Sequence, residues 1–185
     1  MNQYLDQRGR PRVVITGMGA LSPLGNSALD SWRSAAGGVS GIARITQFDA
    51  SDYPCQIAGE VKDFDPKQHM DFKEARRMSR ASQLTVAAAV QALEMAGFSN
   101  GVPDKERTGV VIGTGMGGFE KASENMDILR ERGIGKVNPF ALSASLPNMP
   151  SHHVSLLAGT LGPISTVVAA CATGTQSLGA ATAVI

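Results

Sequence analysis

Short β-branched runs, most of them stopped by glycine, alternate along this chain with longer stretches rich in alanine and serine, and that alternation constrains the fold most. Residues 12–16 (RVVIT) halt at Gly17, and residues 108–114 (TGVVIGT) run into the glycine loop Gly115, Met116, Gly117 and Gly118. Residues 164–170 (ISTVVAA) form a third such run, and residues 57–61 a weaker one. Runs of this length bounded by turn residues suit buried strands. Between them lie the helical stretches. Asn26 and Ser27 can cap a helix over Ala28–Ala36 that closes at Gly37 and Gly38. Residues 79–96 (SRASQLTVAAAVQALEMA) spread alanine around the whole cylinder before Gly97, as a helix packed on several sides does. A polar helix is expected over Phe119–Arg132 and another over residues 145–159, where Pro150 stands near the start. Strands alternating with helices predict an α/β fold with a mostly buried sheet. Residues 1–11 read as a short flexible extension, and residues 12–185 as one domain. The chain stops inside an apolar helical run at Val184 and Ile185 without a capping residue, and this reads as a truncation.

Composition removes several classes of function. With 43% hydrophobic and 18% charged residues and a net charge of +1, the chain is globular and carries no basic footprint for nucleic acid or an anionic membrane. Two cysteines in 185 residues do not form a disulfide framework, so a reducing compartment is expected. No apolar stretch reaches the roughly 18 residues of a spanning helix, and the first eleven residues lack the apolar core of a signal peptide. The expected location is the cytoplasm. Nothing in the sequence calls for a metal or a cofactor.

The segment richest in chemistry is GPISTVVAACATGTQS, residues 162–177. It places Cys171 between a strand and the start of a helix, where free amide N–H groups and the helix dipole favour an anionic sulfur. Gly174 and its small neighbours let a substrate approach closely, as at a nucleophile elbow. From this context alone, a nucleophile and a buried structural thiol are both open readings. Cys55 has no comparable setting and reads as an ordinary thiol.

Three further stretches resolve that choice: RVVITGMGALSPLGN near the start, KEARRMSRAS in the middle, and GVVIGTGMGG followed by NPFALSASLPNM. Together with the cysteine segment, in order and spacing, they make the chain resemble the β-ketoacyl-acyl-carrier-protein synthases, most of all the elongating type II enzymes of fatty-acid synthesis. The resemblance implies a thiolase-like fold of two similar halves layered α-β-α-β-α. This chain would form the N-terminal half, an α-β-α unit with a mixed, mostly buried sheet. It also implies that Cys171 takes an acyl group as a thioester, with its own backbone N–H in the oxyanion hole, before malonyl-acyl-carrier protein loses CO₂ and attacks. Met116 would line the acyl tunnel, and Phe140, Ala141 and Leu142 would close it from a partner subunit. Lys73, Arg76, Arg77 and Arg80 would dock the acidic acyl-carrier protein. The strand before Cys171 would pair with its copy in a homodimer. The chain departs from the family in length. Family enzymes are about twice as long and carry their catalytic histidines in the second half, whereas His69, His152 and His153 stand elsewhere. On its own, the chain is therefore expected to accept an acyl group but not to condense.

Rival readings differ from this in testable ways. A dinucleotide-binding turn after residues 12–16 fails on its glycine spacing and on the lack of an acidic residue at the expected distance. A discrete polyketide ketosynthase shares fold and nucleophile and differs in substrate. A noncatalytic half or scaffold is disfavoured by the presence of Cys171.

Overall fold

The computed structural model describes residues 4–185. Seven helices and four strands follow one another among them as α1 (Ala28–Ala36), β1 (Ile42–Arg44), β2 (Ile57–Gly59), α2 (Phe72–Ala75), α3 (Arg80–Met95), β3 (Val110–Gly113), α4 (Phe119–Arg132), α5 (Ala141–Ser145), α6 (Met149–Ala158), β4 (Ile164–Val167) and α7 (Thr173–Ala183). The α/β class read from the sequence holds. The sheet that carries it is smaller and more open than expected: β1 and β2 form an antiparallel ribbon, while β3 and β4 form a separate parallel pair. In that pair Val110 faces Ile164 and Gly113 faces Val167, and the Thr114 N–H extends the ladder to the Val167 carbonyl at 3.1 Å. Only Val110 of the four β3 residues is fully buried, and Ile164 is 51% exposed, so the sheet is half covered.

Local chemistry explains most boundaries. Ser27 Oγ accepts from the Asp30 N–H at the start of α1, and Ser79 Oγ accepts from the Ser82 N–H at the start of α3. Gly159, left-handed at φ 66, closes α6, the usual place for glycine past a helix end. The single helix expected over residues 145–159 is two helices. Pro147 disfavours a helical conformation for the residue before it, and Leu146 is extended at ψ 138, so α5 ends and α6 begins afresh at Met149.

Residues 12–16 correct a second expectation. They form no strand among the described residues; the Arg12 N–H donates to the Tyr4 carbonyl at 3.0 Å, next to an isolated bridge between Leu5 and Pro11. Val14 and Ile15 are 72% and 70% exposed. What fixes the region just after them is α3. A Cβ on Gly17 or Gly19 would collide with the α3 backbone at Ala92 or Ala88, and the Ala20 N–H donates to Gln91 Oε1 at 3.2 Å. Of the expected flexible extension, residues 1–3 lie outside the described residues. Residues 4–11 form a turn in which Asp6 Oδ1 accepts from the N–H groups of Arg8 and Arg10.

The core sits where α3 and α6 cross behind β3. Met78, Val86, Val110 and Val154 form it, with Met70, Ala89 and Ile112 against it. Close approach comes from small residues: Ser79, Ala87, Ser82 and Ser151 are wholly buried. The total surface is 12504 Å², whereas a folded monomer of 19.3 kDa exposes about 8,500 Å². Large apolar side chains lie on this surface, with Trp32, Ile42, Ile57, Leu178 and Ile185 all more than half exposed.

Candidate active site

Cys171 stands on the elbow between β4 and α7. The strand stops at Val167, earlier than the expected residue 170. Ala169 remains extended in φ (−144°), Ala170 turns left-handed at φ 46, and a single 3-10 turn over Ala170–Ala172 feeds α7. A residue with a Cβ enters the left-handed region only where its surroundings impose it, and such positions gather at functional sites. The thiol is exposed and makes no hydrogen bond among the described residues. Polar contacts hold the elbow from behind. Ser151 Oγ on α6 shares a 2.6 Å hydrogen bond with Thr166 Oγ1 and donates to the Ser165 carbonyl at 3.2 Å, tying β4 to the helix beneath. Cys55, also exposed, lies in the loop before β2, and its Sγ contacts the Ile57 carbonyl at 3.5 Å.

The glycine loop after β3 is pressed onto the α5–α6 junction. Gly117 has φ 59 and touches Pro147, Gly118 faces the Ala144 carbonyl, and Thr114 Oγ1 donates to the Pro147 carbonyl at 3.1 Å. The fold thus brings the loop of Met116 beside the helix that carries Ala141 and Leu142. Met116 itself is 66% exposed. Ala141 is buried, and Leu142 is exposed. Both line an apolar cleft of about 480 Å³ together with Met126, Leu129, Ile134 and Val137. Phe140 and Met116 are not part of that lining. The α4 side of the cleft was missed in the sequence; the signal for it was Met126 and Leu129 at i, i+3 on an otherwise polar helix.

The four basic residues separate into two groups. Lys73, Arg76 and Arg77 are exposed. The Arg76 guanidinium lies 5.8 Å from the Phe72 ring centre, and that of Arg77 lies 4.7 Å from the Phe140 ring centre while pairing with Glu74 at 3.1 Å. Arg77 therefore joins the basic group to the segment of Phe140. Arg80 faces elsewhere. Its guanidinium covers the Phe64 ring at 4.7 Å and donates to the Val61 carbonyl, and its N–H donates to Glu120. It lines a polar cleft with Glu60, Glu120 and Glu124.

The histidines take no part in the elbow. His152 is exposed, and His153 is buried on α6 with Nε2 lacking a hydrogen-bond partner. Burial holds the His153 imidazole below its ordinary pKa, helped by the neighbouring His152 and opposed by Glu74. His69 stacks on Phe64. Among the described residues no group of three or more His, Cys, Asp or Glu could hold a metal, and no helix is long and apolar enough to cross a membrane.

Comparison with known proteins finds a family and relatives that cover most of the chain. Residues 10–185 match the family described as "Beta-ketoacyl synthase, N-terminal domain". The 3-oxoacyl-[acyl-carrier-protein] synthase 2 of Staphylococcus aureus strain COL is 44% identical over 170 residues, which cover 92% of this chain and 41% of that protein. A β-ketoacyl synthase from Burkholderia phymatum STM815 superposes with a TM-score of 0.78 at 27% identity, covering 93% of this chain and 43% of that one. The ishigamide ketosynthase/chain length factor reaches the same TM-score at 26% identity, over 92% of this chain and 44% of that one. The chain thus spans about two fifths of the length of the curated relatives it matches.

Proposed function

We propose that this chain, which belongs to the β-ketoacyl synthase family through its N-terminal domain, supplies the acyl-accepting half of a cytoplasmic condensing enzyme in fatty-acid elongation. The observation that carries the reading is Cys171, exposed on a strand-to-helix elbow with a left-handed residue immediately before it. In the proposed cycle the Cys171 sulfur attacks the carbonyl carbon of an acyl thioester, and the carrier thiol leaves with the proton. The N–H groups at the elbow and at the start of α7 would stabilise the oxyanion. Malonyl-acyl-carrier protein then loses CO₂, and its carbanion attacks the Cys171 thioester to release a product two carbons longer. Groups outside residues 1–185 would drive that second half-reaction.

The acyl chain would enter past Met116 and lie near Ala141 and Leu142, with Phe140 at the rim. The apolar cleft beside Ala141 supports a pocket here. Lys73, Arg76 and Arg77 are the proposed docking cations for the acidic carrier protein, while Arg80, part-buried over Phe64 and bonded to the Val61 carbonyl, would stabilise the fold. Half exposure of Ile164 leaves β4 free to meet its copy in a homodimer. The apolar surface in excess of a closed monomer would be covered by that copy and by further polypeptide.

A second reading is favoured by the likeness to the ishigamide ketosynthase/chain length factor: a ketosynthase that extends a polyketide. One experiment separates the two. The full protein is given acyl- and malonyl-acyl-carrier protein, and the products are identified by mass. Elongation enzymes release one 3-oxoacyl product per condensation, and a polyketide enzyme retains the chain through several. No condensation with either substrate set would overturn both. The 185-residue chain alone is expected to form the acyl-enzyme without condensing, and release of a 3-oxoacyl product from it would contradict that division.

A further inference from the structure

The elbow needs something to hold it. Ala169 has an extended φ of −144°, and Ala170 follows in the left-handed region at φ 46, which a residue with a Cβ adopts only under constraint. Two backbone bonds close the turn: the Ala172 N–H donates to the Ala169 carbonyl at 3.0 Å, and the Thr173 N–H donates to the Ala170 carbonyl. Neither holds the N–H of Ala169. That donor goes to a side chain from across the nucleophile, Thr173 Oγ1, at 2.8 Å.

Thr173 is itself fixed on three sides. It is 7% exposed at the first position of α7. Its methyl group stands against the end of β3, where a Cβ on Gly113 would collide with Thr173 Cγ2 and Ser177 Oγ. Its carbonyl accepts from Ser177 Oγ at 2.8 Å. The Oγ1 atom is thereby presented to Ala169 from a rigid seat, and the hydrogen bond spans residues 169–173 with Cys171 at the centre.

We infer that Thr173 is the positioning residue of the nucleophile. By accepting from the Ala169 N–H, it clamps Ala170 in its left-handed conformation and sets the direction in which the Cys171 side chain leaves the elbow. It touches no substrate and acts through the backbone of residues 169–171. The inference rests on the proposed role of Cys171 as acyl acceptor and deepens it.

Two substitutions separate this role from packing. Thr173→Val keeps the shape and removes the acceptor, and Thr173→Ser keeps the acceptor and removes the methyl group. In the full protein, kcat and KM for acyl transfer from a small acyl thioester are measured together with the iodoacetamide rate at Cys171 across pH. Misdirection of a reacting atom by a fraction of an ångström to about 1 Å lowers rates on the order of 10- to 100-fold. Thr173→Val is expected to lose kcat on that scale with KM changed by less than about twofold, and Thr173→Ser to stay within about threefold of the parent. The thermal midpoint is recorded for each. Should the Val variant fail to fold, amide exchange at Ala169 in the parent and the Ser variant decides, with protection expected in both. Equal losses in Val and Ser, parental rates in Val, or rapid exchange at Ala169 would overturn the inference. A parent protein whose Cys171 takes no acyl group would instead overturn the proposed function, so the two failures are distinguishable.

Discussion

Two β-branched runs of nearly the same composition, RVVIT at residues 12–16 and ISTVV at residues 164–168, meet different fates. The second pairs in parallel with β3, is tied to α6 through Ser151, and delivers Cys171 to an elbow. The first enters no named strand among the described residues, bonds through the Arg12 N–H to the Tyr4 carbonyl, and leaves Val14 and Ile15 more than two thirds exposed. Each run ends beside a glycine pressed against a helix: Gly17 against α3, and Gly113, at the end of the neighbouring strand, against α7. Strand propensity is thus equal, and the partner decides. Among the described residues, Ile164–Val167 lies beside a full strand, and residues 12–16 belong to no named strand.

The contrast yields graded expectations. The largest concerns chemistry. Cys171→Ala should abolish acyl-enzyme formation, a loss of about 10³-fold or more as expected for removal of a covalent nucleophile, whereas Cys55→Ala should leave it unchanged. Mass spectrometry of the acylated protein checks both. Next come the two glycines. Gly113→Ala forces a Cβ into Thr173 and Ser177, and overpacking of this kind costs about 1–3 kcal/mol or more. It should lower both the denaturant midpoint and the Cys171 acylation rate. Gly17→Ala collides with α3 and should lower stability while leaving the chemistry at Cys171 intact. Parallel losses of activity in both would erase the distinction between the regions.

A smaller effect separates the buried strand from the open run. Val110 is 6% exposed and Val14 is 72% exposed. Truncating Val110 to Ala removes two methyl groups from the core, about 2 kcal/mol. Val14→Ala should change stability by no more than about 0.5 kcal/mol in this chain. Urea titrations of the two variants test the pair.

The last expectation is a dependence on pH. His153 lies on α6 beneath β4 and has a lowered pKa in the folded state because burial disfavours its charged form. The unfolded chain, with an ordinary value of about 6.5, binds the proton more readily. Stability should be constant above neutral pH and fall as the pH drops below that ordinary value, down to the depressed folded one. His153→Gln should flatten this acid limb between those limits. An acid limb of unchanged depth in the Gln variant would move the cause elsewhere.

Much of this was legible in the sequence because the signals are local. Ser27, Ser79 and Gly97 mark helix ends that the structure keeps to within a residue or two. The elbow was legible as a β-branched run meeting a small-residue helix with a cysteine between. What escaped depends on distant partners. No pattern in RVVIT tells whether a strand will lie beside it. Ala170 carries no mark of a left-handed backbone, since alanine rarely adopts one, and the bond from Ala169 to Thr173 exists only once the turn has formed. Arg80 looked like its basic neighbours in KEARRMSRAS, yet the fold lays its guanidinium on Phe64 and gives its backbone N–H to Glu120, forty residues away.

The most direct test compares the two thiols, because both are exposed and only one sits on the elbow. The protein is incubated with an acyl-loaded acyl-carrier protein, digested, and mapped for the added acyl mass. The acyl group should be found on Cys171, with Cys55 unmodified. Acylation of Cys55 to the same extent, or a bare Cys171 in a folded protein, would contradict the claim that this elbow makes the nucleophile.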